Sequence, residues 1–159
     1  MKKTNAMRIV EKAKVDFEIV SYDIEDGMID AISVARKTGQ DPKSVFKTLV
    51  TKGKSGEHFV FVIPSESSLD LKKCASLVGE KSIEMIAVAQ LLKTTGYIRG
   101  GCSPIGMKKQ FVTIVDKSAK ELERLFISAG IKGEQIGLSP KALQSIIGCR
   151  FEDICQENV

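Results

Sequence analysis

The chain has 159 residues and a formal net charge of +4 at neutral pH, with 43% hydrophobic and 28% charged residues. That composition suits one globular domain able to fold on an apolar core alone, so residues 1–159 are read as a single domain. No apolar run reaches membrane-spanning length and Met1–Val10 lacks the apolar stretch of a signal peptide, so a cytoplasmic protein with no membrane partner is expected.

Thr4 or Asn5 can cap a first helix in which Ala6, Ile9, Val10 and Ala13 recur at helical spacing. Phe17–Tyr22 is predicted as a short strand, and Asp30–Lys37 as a second helix stopped by Gly39. Asp41-Pro42 has the form of another helix start, with Asp as cap and Pro in the first turn. Val45–Lys52 and His58–Ile63 are β-rich and flank Gly53-Lys54-Ser55-Gly56, which predicts a hairpin. Leu69–Val78 reads as a helix closed by Gly79, Ser82–Met85 as a strand and Val88–Lys93 as a short helix. A glycine-rich loop follows over Gly96–Gly106. Phe111–Val115 is then a strand, Ser118–Arg124 a helix and Leu125–Ser128 a strand. Ser139-Pro140 opens a last helix through Ile147, closed by Gly148. There is no regular βαβ rhythm. The order predicts a mixed α/β fold of the α+β type, a largely antiparallel sheet with flanking helices.

Two segments carry the chemistry. Gly96–Lys109 places Gly100, Gly101, Pro104 and Gly106 close together, giving a backbone that can approach a ligand and whose N–H groups can cradle an anion. Arg99, Lys108 and Lys109 add positive charge around it. A tight helix-to-strand connection would look the same on composition, and the Walker pattern is absent. In Val45–Val50, Lys47 interrupts an apolar strand beside Thr48, where it could meet a phosphate or a developing oxyanion. A lysine protecting a strand edge fits the same pattern.

Conventional catalytic groups are scarce. His58 is the one histidine, and it reads as a solvated hairpin residue, which argues against Ser-His-Asp and Cys-His machinery. Cys102 sits in the glycine loop with no histidine near it in sequence. The four cysteines lack C-x-x-C spacing, so they read as free thiols, with no metal site and no cofactor expected.

Phe46-Lys47-Thr48-Leu49, followed some fifty residues later by Gly100-Gly101-Cys102-Ser103-Pro104-Ile105-Gly106-Met107-Lys108-Lys109, resembles the YbaK/EbsC group of trans-editing deacylases. Ser21-Tyr22-Asp23, Leu71-Lys72-Lys73 and Ser128-Ala129-Gly130 extend the likeness, in order, along nearly the whole chain. The resemblance implies a cleft for the aminoacylated 3′ end of tRNA and removal of cysteine from Cys-tRNA(Pro), less selectively from Cys-tRNA(Cys). It implies substrate-assisted chemistry, in which the cysteine thiol attacks its own ester. Lys47 matches the family's essential lysine, and the backbone around Gly100 and Gly101 is implied as the anion-binding surface. Tyr22, Phe46, Thr48, Ser103, Pro104, Gly106 and Gln135 are implied substrate contacts. Gly101 is expected where a side chain would obstruct the loop's own conformation or the 3′ adenosine. Some relatives carry an acid near Gly133–Ile136, and whether Glu134 or Gln135 serves the cleft stays open. Prolyl-tRNA synthetase is the implied partner. Two other readings remain: a deacylase for another small residue such as Ala-tRNA(Pro), using an activated water, and a non-catalytic RNA- or nucleotide-binding module.

Overall fold

The computed structural model describes residues 2–157; Met1 and residues 158 and 159, the ends of the expected domain range, lie outside it. Thr4 caps α1 (Asn5–Lys12), its hydroxyl accepting from Met7 N at 3.1 Å. β1 (Phe17–Ser21) leads through a loop to α2 (Ala31–Thr38), capped by Asp30 and closed by left-handed Gly39. Asp41-Pro42 starts only a 3-10 turn, Pro42–Ser44. β2 (Phe46–Gly53) and β3 (His58–Pro64) form the expected hairpin. α3 (Leu71–Val78), β4 (Ile83–Met85) and α4 (Val88–Thr95) follow, and after the glycine loop β5 (Val112–Asp116). β6 (Leu125–Ser128), β7 (Glu134–Leu138), α5 (Pro140–Ile147) and β8 (Arg150–Glu152) complete the order.

The mixed fold is as expected, with its strands divided between two sheets. β1-β7-β6 is antiparallel throughout. The second sheet, β4-β2-β3-β5-β8, is antiparallel around β2 but parallel at β3–β5 and β5–β8. A bridge between Val45 and Phe126 links the sheets.

Three local readings are corrected. The segment expected as a helix over Ser118–Arg124 is a 3-10 stretch, Lys117–Glu121, capped by the Asp116 carboxylate. β7 and β8 were not anticipated. β7 carries polar Glu134 and Gln135 and a central Gly137, which weaken the strand signal. Gly137 is required by packing: a Cβ there would stand 2.5 Å from Cε1 of Phe126 on the neighbouring strand.

β3 is buried on both faces, which explains its unbroken apolar run. Val60 and Val62 join a core with Phe46, Leu125, Ile127, Ile136, α1 and α5, so this cluster holds the two sheets together. Phe59, Phe61 and Ile63 enter a second cluster against Cys74 and Ala75 of α3. Among the described residues no helix is long and apolar enough to cross a membrane.

Candidate active site

A cleft of about 650 Å³ opens where the N-terminal half of β2 faces β6 and β7. Lys47 is half-buried in its wall, on the β2 position opposite Ile63. Phe46 and Val50 belong to the main core and Leu49 packs against the other, so strand alternation sets Lys47 apart from Phe46 and Thr48. All four residues from Phe46 to Leu49 reach the cleft because β2 is an edge there: β4 pairs only with Thr51–Gly53. The Val50 carbonyl accepts from Ile86 N at 3.2 Å along that edge. Alternation therefore turns the Thr48 N–H and C=O to the same side, where no strand pairs them.

The opposite wall comes from the loop before α2. Lys37 fixes it, its ammonium donating to Asp23 O, Asp26 Oδ1 and Met28 O at 2.7, 2.7 and 2.8 Å. The Lys37 hydrogen bond also holds the Asp26 carboxyl below the ordinary carboxylate range. Tyr22, Ile29 and Asp30 thus line the cleft. The Asp30 carboxylate is committed to α2: it accepts from the Ser33 hydroxyl at 2.6 Å and from Ser33 N at 3.1 Å, bonds that lower its pKa.

The charge facing the cleft is positive. Lys47, Arg99 and Lys132 line it, and none of the three has an ion-pair partner among the described residues. Lys108 and Lys109, expected to contribute, point elsewhere. Lys108 Nζ donates to Lys93 O, and Lys109 lies 5.9 Å from the Phe111 ring centre. Lys132 escaped the sequence reading; its one signal is its place between Gly130 and Gly133, both left-handed. Ser128, noticed only as part of a matching stretch, lines the cleft too.

The glycine loop contributes less surface than expected. Gly100 and Cys102 reach the cleft, whereas Gly101, Ser103, Pro104 and Gly106 do not line it. The loop bonds to itself: Gly101 N–H donates to Ile98 O, Ile105 N–H to the buried Ser103 hydroxyl, and Tyr97 Oη to Ile105 O at 2.6 Å. Those N–H groups are spent internally and cannot cradle an anion. Pro104 is buried and Gly106 packs beside Asn5 and Tyr97. Gly100 sits at φ +85°, where other residues are strained.

Gly101 is correspondingly misplaced for touching an adenosine. Its Cβ would stand 3.2 Å from Ile131 Cα and from Lys132 N, so this backbone would have to give by a few tenths of an ångström. Gly101→Val is expected to cost about 1–3 kcal/mol of stability through overpacking and to displace Lys132 with it. A thermal unfolding midpoint several degrees below wild type, measured with the activity loss, checks this; binding lost at an unchanged midpoint would contradict it.

Gln135 lines the cleft and is 3% exposed, standing between Val20 on β1 and Ser128 on β6. Glu134 turns the other way, its Oε2 accepting from the Ser21 hydroxyl at 2.8 Å. Of the two, Gln135 is therefore the one in the cleft. Two oxygens there, Gln135 Oε1 and Thr48 Oγ1, are buried without a hydrogen-bond partner.

Protein nucleophiles are poorly served. His58 lies outside the cleft, half-buried and edge-on to Phe111 at 5.6 Å instead of solvated, with burial lowering its pKa. Burial pushes the Cys102 thiol up to about 11, and no histidine is among the described residues that line the cleft. No gathering of three or more His, Cys, Asp or Glu side chains suited to a metal occurs among the described residues.

Residues 26–146 match the aminoacyl-tRNA editing domain family. EbsC of Enterococcus faecalis, assigned by name as a Cys-tRNA(Pro)/Cys-tRNA(Cys) deacylase, is 45% identical over 152 residues, covering 96% of this chain and 93% of that one. A proline–tRNA ligase of Thermosipho melanesiensis is 26% identical over 62% of this chain, a stretch amounting to 17% of the ligase. The crystal structure of a protein described as a trans-editing enzyme for prolyl-tRNA synthetase superposes with a TM-score of 0.85 at 20% identity, covering 99% of this chain and all of that one. This last likeness speaks for the fold. With the family match spanning most of the residues that wall the cleft, the chain belongs to the aminoacyl-tRNA editing domain family.

Proposed function

We propose that this protein, working as one editing domain, removes cysteine from Cys-tRNA(Pro), and less selectively from Cys-tRNA(Cys), with the substrate's own thiol as nucleophile. The observation that carries the mechanism is a cationic cleft whose only protein thiol is held protonated and whose wall offers no histidine. The name of the Enterococcus relative supplies the acyl group.

The cysteine sulfur attacks the ester carbonyl carbon and the carbon–oxygen bond to the ribose breaks. The ribose oxygen leaves with the proton released from sulfur, giving free tRNA and a cyclic thiolactone. Attack within one molecule gains a large effective molarity if the cleft holds thiol and carbonyl in reach. Lys47 meets the oxyanion or the terminal phosphate, Arg99 and Lys132 receive the polyanionic end, and the free Thr48 N–H is a second donor for the oxyanion. Tyr22 provides flat surface for the terminal adenosine, whereas Phe46, expected as a contact, is committed to the main core.

Cysteine and proline are similar in size, and a synthetase pocket separates near-isosteres by only about 1–3 kcal/mol, so a second, hydrolytic or cyclising site adds what binding cannot. The proline–tRNA ligase segment similar to this chain supports prolyl-tRNA synthetase as the partner. Such an enzyme works in the cytoplasm, where tRNA is charged.

Deacylation of Cys-, Ser-, Ala- and Pro-tRNA(Pro) by the purified protein tests the reading. Cys-tRNA(Pro) is expected to be cleared fastest, with Ser-tRNA(Pro) far behind because its hydroxyl is much less acidic than a thiol. Cys102→Ser and Cys102→Ala are expected to stay within about twofold of wild type, since neither removes a reacting group. Equal rates for cysteine and serine substrates would point to an activated water. Loss of activity in both folded Cys102 variants would move the nucleophile onto the protein.

A further inference from the structure

Two residues that line the cleft each carry an oxygen that the protein leaves unanswered. Gln135 Oε1 and Thr48 Oγ1 are both buried and neither receives a hydrogen bond. Buried polar atoms without partners are uncommon in folded proteins, and each costs stability that a bound donor recovers. The two come from different sheets, Thr48 from β2 and Gln135 from the middle of β7, yet they wall one cleft. Lys47, Arg99 and Lys132 share that wall and none of them donates to either oxygen. A bound ligand can bring the donor.

Resting on the proposed deacylase activity, we infer that Gln135 and Thr48 form the recognition site for the substrate's α-amino group. An aminoacyl 3′ end offers four kinds of donor, one of them the amino group of the terminal adenine. A ribose hydroxyl supplies one hydrogen, and a thiol is a weak donor that must also be free to attack. The α-amino group carries two or three N–H bonds on one atom, attached to the carbon next to the ester, which lets it span acceptors on facing walls, whereas the adenine amino group belongs to the base, across the ribose from the ester. Rotation about the broad terminal torsion of the Gln135 amide turns Oε1 to the cleft without moving the strand.

The charge pattern suits this assignment. The one carboxylate lining the cleft, Asp30, is held by Ser33 at the start of α2 and is not free to pair with an amine. Neutral oxygens read the N–H bonds by geometry and leave the cationic field around Lys47 intact for the ester and phosphate. Specificity of this kind rejects an analogue that lacks the donor, because the buried acceptors stay unpaired.

The test compares Cys-tRNA(Pro) with 3-mercaptopropionyl-tRNA(Pro), which keeps the thiol and the ester, lacks the amine and adds no bulk. Wild type is expected to favour the cysteine substrate by about 100-fold in kcat/KM. In Gln135→Met, and separately in the isosteric Thr48→Val, that preference is expected to shrink to about tenfold or less. Gln135→Glu, which restores an acceptor oxygen, is expected to keep a larger preference than Gln135→Met. Wild type clearing both substrates at one rate would overturn the inference and leave the deacylase reading standing, as would a full preference retained in both folded variants. Clearance of neither substrate would instead remove the activity on which the inference rests.

Discussion

Lys47→Ala is expected to lower kcat/KM for Cys-tRNA(Pro) by about 10²–10³-fold, the loss typical of removing one donor to a developing oxyanion. Stability is expected to stay within about 0.5 kcal/mol of wild type, because among the described residues no ion pair or hydrogen bond uses this ammonium. The physical reason lies in the strand. Phe46 and Val50 anchor β2 in the main core and Leu49 anchors it on the other face, so the backbone at position 47 is held without its side chain. Lys47→Arg separates two roles. A guanidinium suits a phosphate but delivers its charge in a different shape, so partial recovery of binding with little recovery of kcat would assign Lys47 to the carbonyl. Single-turnover deacylation and a thermal melt on the same preparations decide the matter. A folded Lys47→Ala enzyme with wild-type turnover would remove this residue from the chemistry.

Phe61→Ala is expected to have the opposite signature, a stability loss of about 3–5 kcal/mol with the chemistry of the folded fraction nearly unchanged. Phe61 is fully buried at the centre of the five-stranded sheet, paired with Leu49 on β2 and Ile114 on β5. Its ring fills the second cluster under α3, on the side away from the main core. Truncation leaves a void between two packed elements. Against a total stability of about 5–15 kcal/mol, that is a large fraction. The unfolding midpoint should fall by roughly 6–20 °C, at 2–4 °C per kcal/mol for a chain of this size. A midpoint close to wild type would mean that Cys74 and Ala75 on α3 collapse into the space.

Much of this fold was legible because its punctuation is explicit. Asp30 and Gly39, and Ser139 with Pro140 and Gly148, each bracket a helix and act in the structure as cap and left-handed stop; Gly79 likewise stops α3, whose cap, Asp70, falls inside the helix expected from sequence. Lys47 was legible as an ionic residue inside an apolar strand. Gly137, by contrast, hides β7, since its reason for being glycine is the Phe126 ring across the ladder, a contact that no local pattern encodes. The division into two sheets is non-local in the same way. The glycine loop misled for a different reason. Its composition suggested backbone donors free for a ligand, but Ser103 and the Ile98 carbonyl take up two of them, the N–H groups of Ile105 and Gly101. Gln135 and Glu134 are indistinguishable as neighbours in sequence, and strand alternation alone sends one inward and the other toward Ser21.

The cleft draws Lys47 and Thr48 from one sheet and Ser128 and Gln135 from the other. A growing polypeptide leaves the ribosome from its N-terminus, so β2 emerges long before β6 and β7 have been translated. A nascent chain bearing Lys47 has a charge but no opposite wall, and nothing to grip an aminoacyl end. Editing competence arrives late, when Leu125, Ile127 and Ile136 close onto Phe46 and the main core is complete. A deacylating activity that needs both walls appears only with the finished fold.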